Sequence, residues 1–118
     1  MKAAQDLAIR NLTAGSACRE VHDSVQKYFA GKGYKTGRSR NDFHGFYYGT
    51  GHGVGLEVHE SPNITLNSED TLASRMVVTV EPGLYYAELN GGVRLEDVVL
   101  VNNGKPRKLS KFEKVLEV

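Results

Sequence analysis

Residues 76–101 read MVVTVEPGLYYAELNGGVRLEDVVLV. Three runs in this stretch, 76–81, 84–88 and 93–101, are rich in β-branched and aromatic residues and are separated by strand breakers. Pro82-Gly83 suits the centre of a type II turn, because proline presets φ and glycine accepts φ > 0. Asn90-Gly91-Gly92 is a hairpin signal between two such runs. The stretch predicts successive antiparallel strands. A further strand is expected at 54–59, where Val54, Leu56 and Val58 alternate with other residues. The tail, 109–118, reads as a last short strand or helix.

Toward the N-terminus the period becomes helical. Ala3, Ala4, Leu7, Ala8 and Leu12 predict a helix within residues 1–12. Thr13-Ala-Gly-Ser16 breaks it, and Ser16 is placed to N-cap a second helix. Val21, Val25, Tyr28 and Phe29 form one apolar stripe there, and Gly31 and Gly33 stop it. Residues 34–47 carry Lys35, Arg38 and Arg40 and read as a basic loop with room for a short strand. Two helices followed by an antiparallel meander make the expected class α+β, in a single domain over 1–118.

A chain of 118 residues supports one core and is too short for two. Its net charge of +1 gives no electrostatic bias toward nucleic acid or anionic membrane. No apolar run reaches membrane-spanning length, and MKAAQDLAIRNL lacks the apolar core of a signal peptide. The single cysteine, Cys18, cannot form an internal disulfide, so a cytoplasmic setting is expected. Cys18 itself reads as a small helix residue rather than a catalytic thiol.

Candidate chemistry gathers around GTGHGVGLEVHE, residues 49–60, where His52 and His59 stand among four glycines. Glu81 ends one strand run on the face of Val77 and Thr79. Glu96 lies within another, on the face of Arg94, Val98 and Leu100, which its apolar members mark as buried. Two readings follow. Arg94 and Glu96 can form an internal ion pair, since a buried carboxylate needs a partner. Alternatively, His52, Glu81 and Glu96 supply one imidazole and two carboxylates to a divalent ion such as Zn, Mn, Fe or Co. If 54–59 is a strand, the two histidine rings need not converge and would have separate roles. His44 reads as a plain loop histidine.

Taken in order, GTGHGVGLEVHESP, MVVTVEPGLYY and GGVRLEDVVLV resemble the motifs of the pita-bread metallopeptidases, which include methionine aminopeptidases, prolidases and aminopeptidase P. The resemblance implies that His52, Glu81 and Glu96 are metal ligands, with Glu81 also a general base and Glu96 bridging two ions. It implies that His59 faces the scissile carbonyl. Arg94, two residues before the bridging glutamate, and EPGLY resemble the Xaa-Pro-cleaving branch. The implied catalytic residues are thus His59, Glu81 and Arg94, and the implied substrate is a peptide with proline at its second position.

The sequence also departs from that pattern. The family's other two ligands are aspartates in D-x-G and S-D-x-T-R stretches, and neither stretch is present. The resemblance therefore implies the C-terminal part of a catalytic domain, with at most one ion held here and no turnover by this chain alone. Its partner is expected to be the absent N-terminal half or a second copy in a homodimer. Tyr48 stands where the Xaa-Pro branch often has histidine, and Arg75 where the family usually has glycine. The alternative expectation is a non-catalytic pita-bread module that binds peptides or proteins.

Overall fold

The computed structural model describes residues 1–39 and 42–115, except for the side chains of residues 38, 39 and 42. Arg40 in the expected basic loop and residues 116–118 of the tail lie outside the described residues. Among the described residues two α-helices, α1 (Lys2–Arg10) and α2 (Cys18–Gly31), precede nine short strands. These are β1 (Gly37–Ser39), β2 (Asp42–His44), β3 (Gly51–Gly53), β4 (Glu60–Ile64), β5 (Val77–Val80), β6 (Gly83–Tyr86), β7 (Gly91–Arg94), β8 (Asp97–Leu100) and β9 (Arg107–Lys108). The class is α+β, as expected.

The five-stranded antiparallel sheet runs β4-β3-β5-β8-β9. β5 is central, and its Val78, Thr79 and Val80 are all buried, so both faces of that strand are covered. Helix α1 supplies one cover: its buried Gln5 donates from Nε2 to the Val80 carbonyl at 3.0 Å. The core joins Ala4, Ala8 and Leu12 to Val21, Val25 and Phe29 of α2 and to Val78, Val80, Val99 and Val101 of the sheet. Two-stranded ribbons β1-β2 and β6-β7 stand beside the sheet and meet through a Gly45–Tyr85 bridge.

Helix α2 begins differently from the sequence expectation. Ala17, not Ser16, precedes its first turn, and no side chain caps it. Instead the Cys18 N–H donates to the Asp70 carbonyl, and Leu72 N–H donates to Ser16, so a neighbouring segment satisfies the start. At the other end Tyr34 N–H bonds the Phe29 carbonyl and Gly33 N–H bonds that of Ala30. That is a Schellman ending, with Gly33 at φ +84° and Tyr34 packed edge-on against Phe29.

Three strand expectations are corrected. Residues 54–59 are not a strand. They form an exposed loop between β3 and β4, with Leu56 fully exposed and Val58 72% exposed. Alternation there had no sheet face to bury against. The register shifts at His52/Gly53, and the loop closes on itself through Gly55 N–H to Glu57 O and Glu57 N–H to Glu60 Oε2. Nor is 93–101 one strand: it changes partners at Leu95–Glu96, so that β7 pairs with β6 and β8 pairs with β5. Finally, Gly83 does not adopt positive φ and opens β6 directly, so Pro82-Gly83 is not a type II turn. The left-handed residue of this region is Asn90, at φ +48°, after a single 3-10 turn.

The tail has no regular structure over 109–115. It is tied down by Asp97, which is buried on the core side of β8 and receives Ser110 Oγ at 2.6 Å, Lys108 Nζ at 2.9 Å and Lys114 Nζ at 2.5 Å. Burial alone would raise the Asp97 carboxyl pKa; the bonds from Lys114, Ser110 and Lys108 outweigh it and hold the group below its ordinary value. Lys114 also reaches Gln5 Oε1. Among the described residues no helix is long and apolar enough to cross a membrane.

Candidate active site

Neighbouring strands β3 and β5 carry His52 and Glu81 to one place. Their backbones lie so close that a Cβ on Gly51 would fall 1.9 Å from the Thr79 carbonyl oxygen, so only glycine fits there. The approach lets the His52 N–H donate to Thr79 Oγ1 at 3.0 Å and the Glu81 N–H donate to the Thr50 carbonyl at 2.7 Å. Thr50 is itself buried and pairs with the buried His22 of α2, Nδ1 to Oγ1 at 3.0 Å. The glycine-rich segment is thereby fixed to the core at its base.

Glu81 is the hub of the site, with its side chain 14% exposed. Thr79 Oγ1 donates to its Oε1 at 3.1 Å, His52 Nε2 stands 3.0 Å from the same oxygen, and Arg94 lies 3.0 Å from Oε2. Hence Arg94 pairs with Glu81 and not with Glu96, which corrects the internal-pair reading. The Arg94 guanidinium also lies over the rings of Tyr48 and Tyr85, 5.6 Å from each centroid. Glu81, His52, Arg94, Tyr48 and Tyr85 line an open cleft of about 580 Å³ together with His59, Asn63 and Thr65.

His52 and His59 have ring centroids 4.3 Å apart, so the rings do converge. The exposed loop between them, in place of the expected strand, brings the second ring back over the first. Glu96 does not join the group. It is exposed, because the buried face of β8 is the opposite one, with Asp97 and Val99. Among the described residues no cluster of three or more His, Cys, Asp or Glu side chains is placed to hold a metal.

The donor chemistry of the pair His52–Glu81 nevertheless fits a divalent ion. His52 Nδ1 lies 2.9 Å from the Gly53 carbonyl, which can only accept, so Nδ1 carries the hydrogen. Its Nε2 faces the Glu81 carboxylate oxygen at 3.0 Å. Two acceptors at this distance need a cation or a proton between them, and their spacing suits adjacent ligands with bonds of about 2.0–2.2 Å.

Comparison with known proteins decides the lineage. The model of metallopeptidase family M24 matches residues 1–103. The chain belongs to metallopeptidase family M24. An Xaa-Pro dipeptidase of Pyrococcus furiosus is 37% identical to this M24 chain over 113 residues, 96% of this chain and 30% of that protein. An uncharacterized peptidase of Bacillus subtilis is 38% identical over 115 residues, again 96% of this chain and 30% of the relative. The crystal structure of the prolidase from Pyrococcus horikoshii superposes with a TM-score of 0.84 at 34% identity, covering 98% of this chain and 31% of that one. The M24 chain thus spans about 30% of the length of the curated relatives it matches, and it carries part of the prolidase fold.

Some functional contacts went unseen in the sequence. Thr79 binds both His52 and Glu81; its position two residues before Glu81 on the same strand face was the available signal. Tyr85 could not be singled out, because an aromatic residue in a strand is ordinarily core.

Proposed function

We propose that this chain supplies one wall of a metal-dependent Xaa-Pro peptidase site, with His52 and Glu81 as ligands and His59 facing the substrate. The observation that carries this reading is His52 Nε2 held 3.0 Å from Glu81 Oε1, with Nδ1 2.9 Å from the Gly53 carbonyl. Support comes from family M24 membership and from relatives named Xaa-Pro dipeptidase. When bound, a divalent ion such as manganese supplies the Lewis acid that makes water nucleophilic near neutral pH. Thr79 orients the Glu81 carboxylate, which then accepts the proton of the attacking water. His59, beside His52, donates to the oxygen where charge develops on the scissile carbonyl. Arg94, clamped between Glu81 and two tyrosines, aligns the carboxylate and faces the peptide. Glu96 is a third proposed ligand by motif resemblance alone, since its side chain stands exposed outside the cleft, and the proposed setting is cytoplasmic.

A second reading, a peptide-binding module without catalysis, is favoured by one contact: Arg94 already occupies Glu81 Oε2. One experiment separates them. The chain is joined to the preceding part of a prolidase catalytic domain, loaded with Mn or Co, and assayed on Xaa-Pro and Met-Ala peptides. We expect preferential Xaa-Pro cleavage, no turnover by the 118-residue chain alone, and a His59→Ala loss of roughly 100-fold or more in kcat at unchanged metal content. A completed, metal-loaded protein that cleaves neither peptide overturns the peptidase reading.

A further inference from the structure

We propose that Gln5, and His22 acting through Thr50, are positioning residues that hold one peptide plane, the one joining Val80 to Glu81, and thereby aim the Glu81 carboxylate at His52. The inference rests on the reading of His52 and Glu81 as metal ligands, and it adds to that site two helix side chains that stand outside the cleft.

The plane is gripped at both ends. Its carbonyl, that of Val80, accepts from Gln5 Nε2 of α1 at 3.0 Å. Its N–H, that of Glu81, donates to the Thr50 carbonyl at 2.7 Å. Each grip is itself held from behind. Thr50 Oγ1 lies 3.0 Å from Nδ1 of His22 on α2, and the His22 ring stacks on Phe46 with centroids 4.8 Å apart. On the other side Lys114 Nζ donates to Gln5 Oε1, and the same ammonium lies 2.5 Å from Asp97 Oδ2. Asp97 stands opposite Val80 in the β5–β8 ladder, so this second support closes on the strand that it holds.

Stability alone does not explain these side chains. Gln5 is fully buried on a helix face whose other buried members are Ala4 and Ala8. His22 is buried among Cys18, Val21, Val25 and Phe29 of α2. A buried polar side chain gives up water and rotamer freedom, and an apolar one of the same shape commonly packs as well or better. Yet both helices direct their buried polar side chain to the same peptide plane, one directly and one through Thr50. What the plane fixes is direction. Glu81 stands one residue past the end of β5, where the regular ladder stops. A tilt of the plane there would swing the carboxylate, whose Oε1 lies 3.0 Å from His52 Nε2. A ligand whose supports are rigid loses less freedom when an ion binds, and outer supports of this kind are commonly worth about 10- to 100-fold in metal affinity.

The test uses the 118-residue chain and Mn alone, with affinity read from the EPR signal of the free ion and amide hydrogen exchange read without metal. Gln5→Glu keeps the side chain's size and an acceptor for Lys114 but loses the donor to Val80; Gln5→Met loses both. We expect each to weaken Mn binding about tenfold. Each should also speed exchange of the Glu81 N–H about tenfold relative to the Val101 N–H, which bonds the Met76 carbonyl just before β5. Thr50→Val, which loses the hydroxyl facing His22, should do the same, and Thr50→Ser should restore both readings to within about twofold. Val25→Ala, a core truncation away from the plane, should lower Tm and leave Mn affinity within about twofold. A Gln5→Glu chain with unchanged Mn affinity and unchanged Glu81 exchange overturns the inference, because the link to Lys114 would then suffice. Mn affinity that falls in step with Tm in every variant, Val25→Ala included, overturns it too, since the side chains would then act only through stability. If the unaltered chain takes up no Mn, the ligand reading falls and the exchange readout decides the plane by itself. Faster Glu81 exchange in Gln5→Glu and Thr50→Val upholds it, and unchanged exchange overturns it.

Discussion

At the scale of single residues, Arg75 is the plainest departure from what backbone sterics favour. It sits at φ +74°, where a side chain is strained, and its N–H is held by the Val101 carbonyl at 2.8 Å just before β5. Arg75→Gly should therefore stabilise the fold by about 1 kcal/mol and raise Tm by a few degrees in thermal unfolding. An unchanged or lower Tm would show that the Arg75 side chain contributes contacts that offset the strain. Cys18 makes a second case. It is fully buried, and burial, helped by the Asp70 charge, pushes its thiol up to about 11. The unfolded thiol ionises near 9, so between these values the unfolded state binds fewer protons than the folded one. Stability from this group is thus complete below pH 9 and declines, on the order of 2 kcal/mol, toward pH 11. Denaturant titrations at pH 8 and pH 10.5 should show a fall that Cys18→Ala lacks, and native Cys18 should resist thiol reagents at neutral pH.

At the scale of elements, the tail and the central sheet are coupled through one carboxylate. Asp97 holds Lys108, Ser110 and Lys114 from inside the core face of β8. Asp97→Ala would leave the Lys114 ammonium, itself only 13% exposed, without its carboxylate and with only the neutral Gln5 Oε1. A loss of about 3 kcal/mol is expected, with early proteolytic cleavage in 109–115 as the local sign. Cleavage no faster than in the unaltered chain would mean that apolar contacts, not the ion pairs, hold the tail. The elements also show why face-counting misplaced Glu96. Alternation holds only within one strand, and the chain changes sheets at Leu95–Glu96. Arg94 is thereby carried to Glu81 in the cleft, while Glu96 is left on the half-open side of β8 beside Val98 and Leu100.

At the scale of the whole molecule, the sheet ends in the short strands β4 and β9, and Leu56, Val58, Leu89, Val93 and Phe112 are exposed. Unpaired edges and apolar side chains of this extent seek cover. We propose that the 118-residue chain self-associates as a two-fold dimer. Sedimentation equilibrium at high micromolar concentration should show more than one chain per particle; a clean monomer there would defeat the idea.

The sequence by itself determined the class, both helices and the strands at 77–80, 83–86 and 97–100, because periodicity and breakers act over a few residues and are written locally. Through motif resemblance it also determined family M24. Only the tertiary structure decided which side chains meet. The 54–59 segment alternates like a strand, yet after the Val54 N–H bond to the Val77 carbonyl it leaves the sheet and becomes the loop that folds His59 onto His52. The Arg94–Glu81 pair, the Thr79 bridge and the Tyr48–Tyr85 clamp depend on strand register and on where the chain leaves one sheet for another. Those are long-range choices, set by which surfaces can be buried together, and no local pattern encodes them.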